Sequence, residues 1–228
     1  MEQKLRYFSA GEWCLWGGSV LLIILSNLLF GGSGILTLIS SLLGVTSLVF
    51  AAKGNPAGPA LMILFGVLYG YISWTFRYYG EMLTYLGMTV PMSVLSLVAW
   101  LRNPYKGNHA QVEVGTLRKG EGIVLVVLTV IVTVLFWFLL RAFHTANLLP
   151  STISVATSFI AVYLTARRSP YYALAYASND LVLIVLWILA AREDSSYASV
   201  VICFCVFLCG DLYGFLNWRR MQRQQSAG

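Results

Sequence analysis

The sequence predicts an all-α polytopic membrane protein with eight transmembrane helices. Hydrophobic residues make up 58% of the chain and charged residues only 11%, whereas soluble domains carry roughly 25% charged residues. The apolar residues form eight runs, each long enough to cross a bilayer. These runs occupy residues 13–30, 35–52, 60–76, 82–100, 123–143, 151–166, 171–190 and 197–217. Because eight crossings use most of the 228 residues, we expect no soluble catalytic domain.

The basic residues are distributed unevenly about these runs. If the chain crosses the membrane at every run, twelve of its fifteen Lys and Arg residues lie on the same side as the N-terminus. The other three are Arg77, Arg141 and Arg192. Because basic residues are retained in the cytoplasm during insertion, we expect both termini to be cytoplasmic. The same bias explains the net charge of +6, so we expect no nucleic-acid partner.

Two turns and two helix ends recur along the chain. The turn Lys53-Gly54-Asn55-Pro56 recurs as Arg167-Arg168-Ser169-Pro170, and the helix end Trp100-Leu101-Arg102 recurs as Trp218-Arg219-Arg220. Because one extra run separates the copies, both copies run in the same direction. The sequence therefore predicts two parallel three-helix bundles joined by a linker helix, a 3+1+3 arrangement, with one extra helix at the N-terminus.

This repeat divides the chain into five parts. They are an N-terminal helix (1–34), a first three-helix bundle (35–103), a cytoplasmic loop with the linker helix (104–149), a second bundle (150–220) and a basic tail (221–228). In transporters built from repeats, the solute binds between the halves near the midplane, and the halves rock to expose it on either side. Pro91, midway along the fourth run, is expected to kink its helix.

One face of the seventh run combines aromatic rings with an amide at membrane depth. Its residues recur every three or four positions and are Tyr172, Tyr176, Asn179, Leu183 and Trp187. Such a face can stack a flat ring and hydrogen-bond its edge, so we predict that it binds the substrate. The side chains expected to face it are Tyr69 and Trp74 of the third run and Thr157, among other hydroxyls, of the sixth. Alternatively, Asn179 joins helices, as Asn also does in membranes.

Two carboxyl groups lie inside apolar runs, where ionisable side chains usually face a cavity or a partner. Asp180 follows Asn179 and either contacts the solute or holds its helix against a neighbour. Asp211 lies nearer the basic end of the eighth run and is expected to make a structural hydrogen bond or ion pair. Arg77 and Glu81, four residues apart, are expected to form an exposed ion pair.

The remaining motifs argue against cofactors and catalysis. The four cysteines lie within apolar runs with no His nearby, so we interpret them as packed thiols and expect neither a metal site nor a cofactor. Trp100 and Trp218 lie at the ends of runs and are expected in an interfacial belt. Motifs of intramembrane hydrolases such as H-E-x-x-H and G-x-S-x-G are missing, so we expect no enzyme activity.

Several stretches resemble the PnuC family of vitamin transporters. They are Leu43-Gly44-Val45-Thr46-Ser47, Lys53-Gly54-Asn55-Pro56, Tyr78-Tyr79-Gly80-Glu81, residues 169–180 and Asp211-Leu212-Tyr213-Gly214-Phe215-Leu216-Asn217-Trp218. The resemblance implies a fold like that of the SWEET sugar transporters, a homotrimer and the plasma membrane of a bacterium. It also implies uptake of nicotinamide riboside by facilitated diffusion, followed by trapping through a cytoplasmic kinase.

The substrate and the energy source have alternatives. Members of the family that carry nicotinamide riboside have two tryptophans before the asparagine that matches Asn179, whereas this chain has Tyr or Ala there. A pyridinium cation gains from electron-rich Trp faces, so a deoxynucleoside is the first alternative substrate. The family resemblance implies thiamine as the second. The alternative mechanisms are a proton-coupled carrier that uses Asp180 or Asp211, and a binding subunit for an ATP-driven partner.

Overall fold

The computed structural model of the chain describes residues 7–30, 34–75, 79–145 and 147–227. Within these ranges, eight helices are long and apolar enough to span a membrane, as predicted. Seven are uninterrupted: α1 Ala10–Leu29, α2 Ile35–Ala52, α3 Ala57–Thr75, α6 Glu121–Ala142, α7 Leu148–Ala166, α8 Tyr172–Ala191 and α9 Ala198–Ala227. Arg77 falls outside the described residues, so its pair with Glu81 stays a prediction.

The fourth span is interrupted by a π-helical turn. It consists of α4 Tyr79–Thr84, the π-helical turn Tyr85–Thr89 and α5 Val90–Leu101. The Val90 N–H donates to the Tyr85 carbonyl, five residues back. Pro91 has no N–H to continue the α-helical pattern, and the turn just before it widens. The observed irregularity is a π turn that ends before the proline, and the kink expected at Pro91 stays a prediction.

The spans pack as two similar groups. α3 packs between α2 and the fourth span, and α8 packs between α7 and α9. The groups meet where α2 packs on α9 and where α7 packs on α5. Gly66 and Gly70 bring α3 close to the fourth span, because a Cβ at either position would crowd Val90 or Leu86. The packing therefore follows the repeated order of helices in the sequence.

Basic residues lie at or near the ends of α2, α5, α7 and α9 on one face of the molecule, which we call the basic face. At this face, two tryptophans hydrogen-bond from one group of helices to the other. The Trp100 Nε1–H donates to the Thr165 carbonyl at 2.9 Å, and the Trp218 Nε1–H donates to the Ala51 carbonyl at 2.8 Å. Both side chains are 0% exposed, and their rings lie 5.3 Å apart. The prediction of an interfacial belt is thus wrong for both, because each indole hydrogen-bonds the opposite group of helices rather than facing lipid.

Glu12 ties the first helix to the basic face. With Ser9 it forms a capping box at the start of α1. Its carboxylate also accepts hydrogen bonds from Lys53 Nζ at 3.0 Å and from Tyr213 Oη at 2.8 Å. Because Lys53 caps α2 and Tyr213 lies on α9, one carboxylate joins three helices.

Glu121 repeats this arrangement at the start of α6. It accepts hydrogen bonds from the Arg118 N–H at 2.8 Å, from Tyr163 Oη at 3.0 Å and from Arg167 Nη2 at 2.9 Å. Arg167 caps α7 as Lys53 caps α2. Each group therefore has a preceding helix whose first-turn glutamate holds the basic cap of the next helix, so the internal similarity extends to α1 and α6.

The connection between α5 and α6 crosses both repeated turns. It contains a short antiparallel pair, β1 Pro104–Tyr105 and β2 Asn108–Val112. The Val112 N–H donates to the Gly54 carbonyl at 2.8 Å, and the Gly115 N–H donates to the Arg168 carbonyl at 2.9 Å. We call residues 104–117 the strap, because they hydrogen-bond one turn from each group of helices.

The last helix also holds the strap. α9 continues to Ala227, so the predicted basic tail is helical through that residue rather than a separate segment. The Gln225 side chain accepts from the Val114 N–H at 2.7 Å and donates to the Val112 carbonyl at 3.1 Å. The C-terminal extension of α9 therefore supplies the strap with partners that its two short strands lack.

Gly115→Ala is expected to destabilise the protein, because a Cβ at this position would overlap the Arg167 carbonyl oxygen. Overpacking of this kind costs about 1–3 kcal/mol. Gly122→Ala is the control, since Gly122 has open space around it and alanine favours a helix. The check is the thermal unfolding midpoint of the two purified variants. Equal midpoints would show that the strap adapts without cost.

Candidate functional site

The predicted face of α8 lies inside the protein. The side chains of Tyr172, Asn179, Leu183 and Trp187 are all buried, and Tyr176 is half-buried. The face runs from the basic face, where Tyr172 packs against Trp218 with ring centroids 5.0 Å apart, to Trp187 near the opposite face. The helical period therefore identified the inward face of this span correctly.

Asn179 is held by hydroxyl groups of α7. Its Oδ1 accepts hydrogen bonds from Ser154 Oγ at 3.1 Å and from Thr157 Oγ1 at 2.8 Å. Because the oxygen end is engaged, the orientation of the amide plane is fixed and its NH₂ group is the donor end. Asn179 thus joins α7 and α8, and this contact leaves a role for its NH₂ group in binding a solute.

Asp180 and Asp211 lie within hydrogen-bonding reach of each other. They are only 3% and 4% exposed. Two carboxylates offer no donor to each other, so we expect one of the two groups to carry a proton that the pair shares. Asp180 Oδ2 finds no donor among the residues that the structure describes, and a proton shared with Asp211 would satisfy it.

A narrow, mostly apolar cavity lies between the two groups of helices. Its volume is about 20 Å³, and its walls include Ser47, Ser93, Ser96, Thr165, Tyr172 and Tyr176. A volume of this size holds roughly one water molecule. This cavity is therefore too small to hold a nucleoside-sized solute.

A wider cavity opens near the opposite ends of the helices. Its volume is about 220 Å³, and its walls include Trp187, Tyr79, Glu81 and Phe143. Leu183, one turn along α8 from both Trp187 and Asn179, is 2% exposed and lies between this cavity and the amide. This cavity is therefore wider than the one that lies between the two groups of helices.

Another cavity, of about 800 Å³, lies on the basic face. It is a groove whose walls include Tyr7, Lys53, Tyr213 and Arg220. None of the predicted site residues lines it. We therefore do not assign the candidate site to this groove.

The remaining predicted residues divide between the interior and the surface. Thr157 lies on Asn179, as described above, and Tyr69 packs on Tyr85 with ring centroids 4.5 Å apart. Trp74 is 55% exposed, next to the equally exposed Tyr71. The prediction that Trp74 faces the site is contradicted, because the buried face of α3 is the one that carries Gly66 and Gly70.

Residues 34–220, from just before α2 into α9, match the model of the family described as nicotinamide mononucleotide transporter. The chain belongs to this transporter family. The match covers both groups of helices, the strap and every predicted site residue. The function of the chain is therefore transport across a membrane, which agrees with the resemblance drawn from the sequence.

Two curated relatives and one solved structure resemble the chain. The nicotinamide riboside transporter PnuC of Neisseria mucosa is 26% identical over 191 residues, covering 81% of this chain and 72% of the relative. That of Haemophilus influenzae is 22% identical over 182 residues, covering 79% and 77%. A crystal structure of the vitamin B3 transporter PnuC superposes with a TM-score of 0.81 at 20% identity, covering 96% of this chain and 94% of the other. This last comparison shows that the eight-helix fold is shared.

The sequence alone did not reveal the carboxyl pair in this family member. Asp180 lies eight residues after Tyr172, and Asp211 lies seven residues before Trp218. At 1.5 Å per residue, both lie roughly 11–12 Å from the basic end. Equal depth on adjacent helices was the signal that could have paired them.

Proposed function

We propose that the chain carries nicotinamide riboside into the cell by facilitated diffusion. The observation that carries this proposal is the Asn179 amide, oriented by two hydroxyls on the buried face of α8. The carboxamide of the substrate is a donor and an acceptor that an oriented amide can pair with. Both curated relatives are nicotinamide riboside transporters, and this supports the proposal.

The charges near Asn179 favour the riboside over the mononucleotide. The mononucleotide carries a phosphate, which proteins hold with Arg, Lys or free backbone N–H groups. Asp180 and Asp211 are the charged residue types at this depth in α8 and α9. α8 contains no Lys or Arg, and the Arg residues of α9 lie toward its C-terminal end. A phosphate between these helices would meet carboxyl groups instead of cations, whereas the cationic riboside would not be repelled.

We also propose how the carrier is oriented and assembled. The basic face is placed in the cytoplasm of a bacterium because basic residues are retained there. The repeated packing supports a 3+1+3 arrangement, in which α2 to α5 form one three-helix bundle, α7 to α9 form the other, and α6 is the linker. A homotrimer and trapping by a cytoplasmic kinase follow from the family resemblance.

A neutral nucleoside is the second candidate substrate. Tyr172 packs against Trp100 and Trp218, so its ring is already in contact with these two indoles at the basic face. On the predicted face of α8, Tyr176 lies within one turn of Asn179 and is half-buried. We propose its ring as the one on which a substrate ring stacks. A single tyrosine is a weaker partner for a cation than a pair of tryptophans, and this favours a deoxynucleoside; thiamine, itself a cation, stays the next candidate from the family resemblance alone.

The test of the substrate is calorimetric binding to the purified chain. A ligand that binds the folded protein also raises its unfolding temperature by mass action. We expect binding of nicotinamide riboside and no response to the mononucleotide. Binding of deoxynucleosides or thiamine without the riboside would overturn the proposal in favour of the second candidate.

The test of the mechanism is uptake by the chain alone in proteoliposomes. Facilitated diffusion predicts uptake that stops at equal concentrations inside and outside. It also predicts that an imposed pH gradient leaves this end point unchanged. Accumulation driven by the pH gradient would instead support proton coupling, and a lack of uptake without an added ATPase would support a binding subunit.

A further inference from the structure

We infer that the cavity on the opposite face is a second binding site, which selects a cationic aromatic ring before it reaches Asn179. The inference rests on the proposed function, since the ligand is the pyridinium ring of nicotinamide riboside. It assigns this cavity the role of an entry site and makes Glu81 a residue that determines specificity.

The walls of the cavity combine three large aromatic side chains and the His144 imidazole with one carboxyl group. Trp187, Tyr79 and Phe143 line it together with Glu81. The Tyr79 and Phe143 rings lie 5.7 Å apart, and Trp187 is held from behind by Tyr197 at 5.4 Å. Aromatic faces attract a cation through their electron-rich surfaces, and the Glu81 carboxyl group adds a direct charge when it is ionised.

The polar groups around the rings suit the rest of such a ligand. Asn147 and Ser151, at the start of α7, line the same cavity and are of the residue types that hydrogen-bond ribose hydroxyls. The cavity volume of about 220 Å³ is small beside the roughly 300–1,000 Å³ of sites that enclose a drug-sized ligand. It therefore suits partial entry of one ring better than full enclosure.

The position of the cavity connects it to the candidate site. Trp187 and Asn179 lie on one face of α8, eight residues apart, which corresponds to about 12 Å along the helix. The buried Leu183 lies between them. A solute bound between the rings would therefore have one side chain of α8 to pass before it reached the amide.

Glu81 also has a simpler role. It lies in the first turn of α4, where an acidic residue stabilises a helix whatever the ligand. That role affects the stability of the protein equally with any substrate. The entry-site role affects cations alone, so a pair of ligands that differ in charge separates the two.

The experiment compares nicotinamide riboside with its 1,4-dihydro form, which has nearly the same shape but a neutral ring. Initial uptake at low substrate concentration is measured in proteoliposomes for the full chain, for Glu81→Gln and for Glu193→Gln. Glu193 is the matched control, because it is exposed near the end of α8 and does not line the cavity. We expect Glu81→Gln to slow uptake of the cation roughly three- to tenfold and to leave uptake of the neutral form unchanged.

Each other outcome overturns a different statement. Equal uptake of the cation by Glu81→Gln and the unaltered chain would refute the entry site and leave the proposed function intact. Slower uptake of both forms by Glu81→Gln would assign Glu81 a structural role only. Slower uptake of the cation by Glu193→Gln as well would show that the effect comes from general surface charge and not from the cavity. Failure of the unaltered chain to take up the riboside would overturn the proposed function and the entry site together.

Discussion

Asn179→Leu is expected to abolish most uptake of nicotinamide riboside while the protein still inserts and folds. Leucine has a similar size, so the packing of α7 on α8 is retained, but it removes the amide that we propose as the partner of the substrate carboxamide. An unpaired polar group in a buried site costs about 1–3 kcal/mol, or roughly 5- to 150-fold in affinity. The measurement is initial uptake in proteoliposomes together with calorimetric binding.

Two further variants make this result specific. Ser178→Leu is the matched control, because Ser178 is the neighbouring residue, is exposed and hydrogen-bonds only within α8 among the described contacts. It should transport normally. Thr157→Val keeps the shape of the side chain and removes one of the hydroxyls that orient the amide, so its effect should be smaller than that of Asn179→Leu. Normal transport by Asn179→Leu would rule out the site on α8.

The inward face of α8 was predictable because a helix repeats every 3.6 residues. A row of residues at that period shares one side, whichever helix covers it. The same reasoning gave the eight spans, since bilayer thickness sets the length of an apolar run. Neither argument needs any knowledge of which helices are neighbours.

The errors come from interactions between neighbours that the pattern of one span does not contain. Trp100 and Trp74 are both tryptophans near helix ends, yet Trp100 is fully buried and Trp74 is 55% exposed. The difference arises because Trp100 reaches the Thr165 carbonyl on α7, 65 residues away in sequence. The strap and the π-helical turn before Pro91 likewise depend on backbone partners that composition does not indicate.

The similarity of Glu12 and Glu121 lay in the sequence but was not recognised there. Each residue begins an apolar helix that precedes a span ending in a basic cap, Lys53 or Arg167. The number of residues between the glutamate and the basic cap differs between the two pairs. A comparison of motifs at constant spacing therefore does not detect the similarity. The structure relates them because an ion pair depends on the distance between helix ends and not on the number of residues between them.

Asp211→Leu is expected to lower the amount of folded protein more than any other single change near α8. It removes one member of the carboxyl pair and leaves Asp180, which is 3% exposed, without the group that shares its proton. The expected destabilisation is about 1–3 kcal/mol. Asp211→Asn should be much milder, because an amide NH₂ can donate to the Asp180 carboxylate in place of the shared proton.

The double variant Asp180→Leu with Asp211→Leu distinguishes a paired role from two independent ones. If the carboxyls act as a pair, the double variant should be no less stable than Asp211→Leu alone, since no polar group is then left unsatisfied. The coupling energy should lie in the range of roughly 0.5–3 kcal/mol measured for residues in contact. The measurement is the thermal unfolding midpoint of the four proteins in one detergent. Additive losses would show that Asp180 and Asp211 act separately, and the shared proton would then have no support.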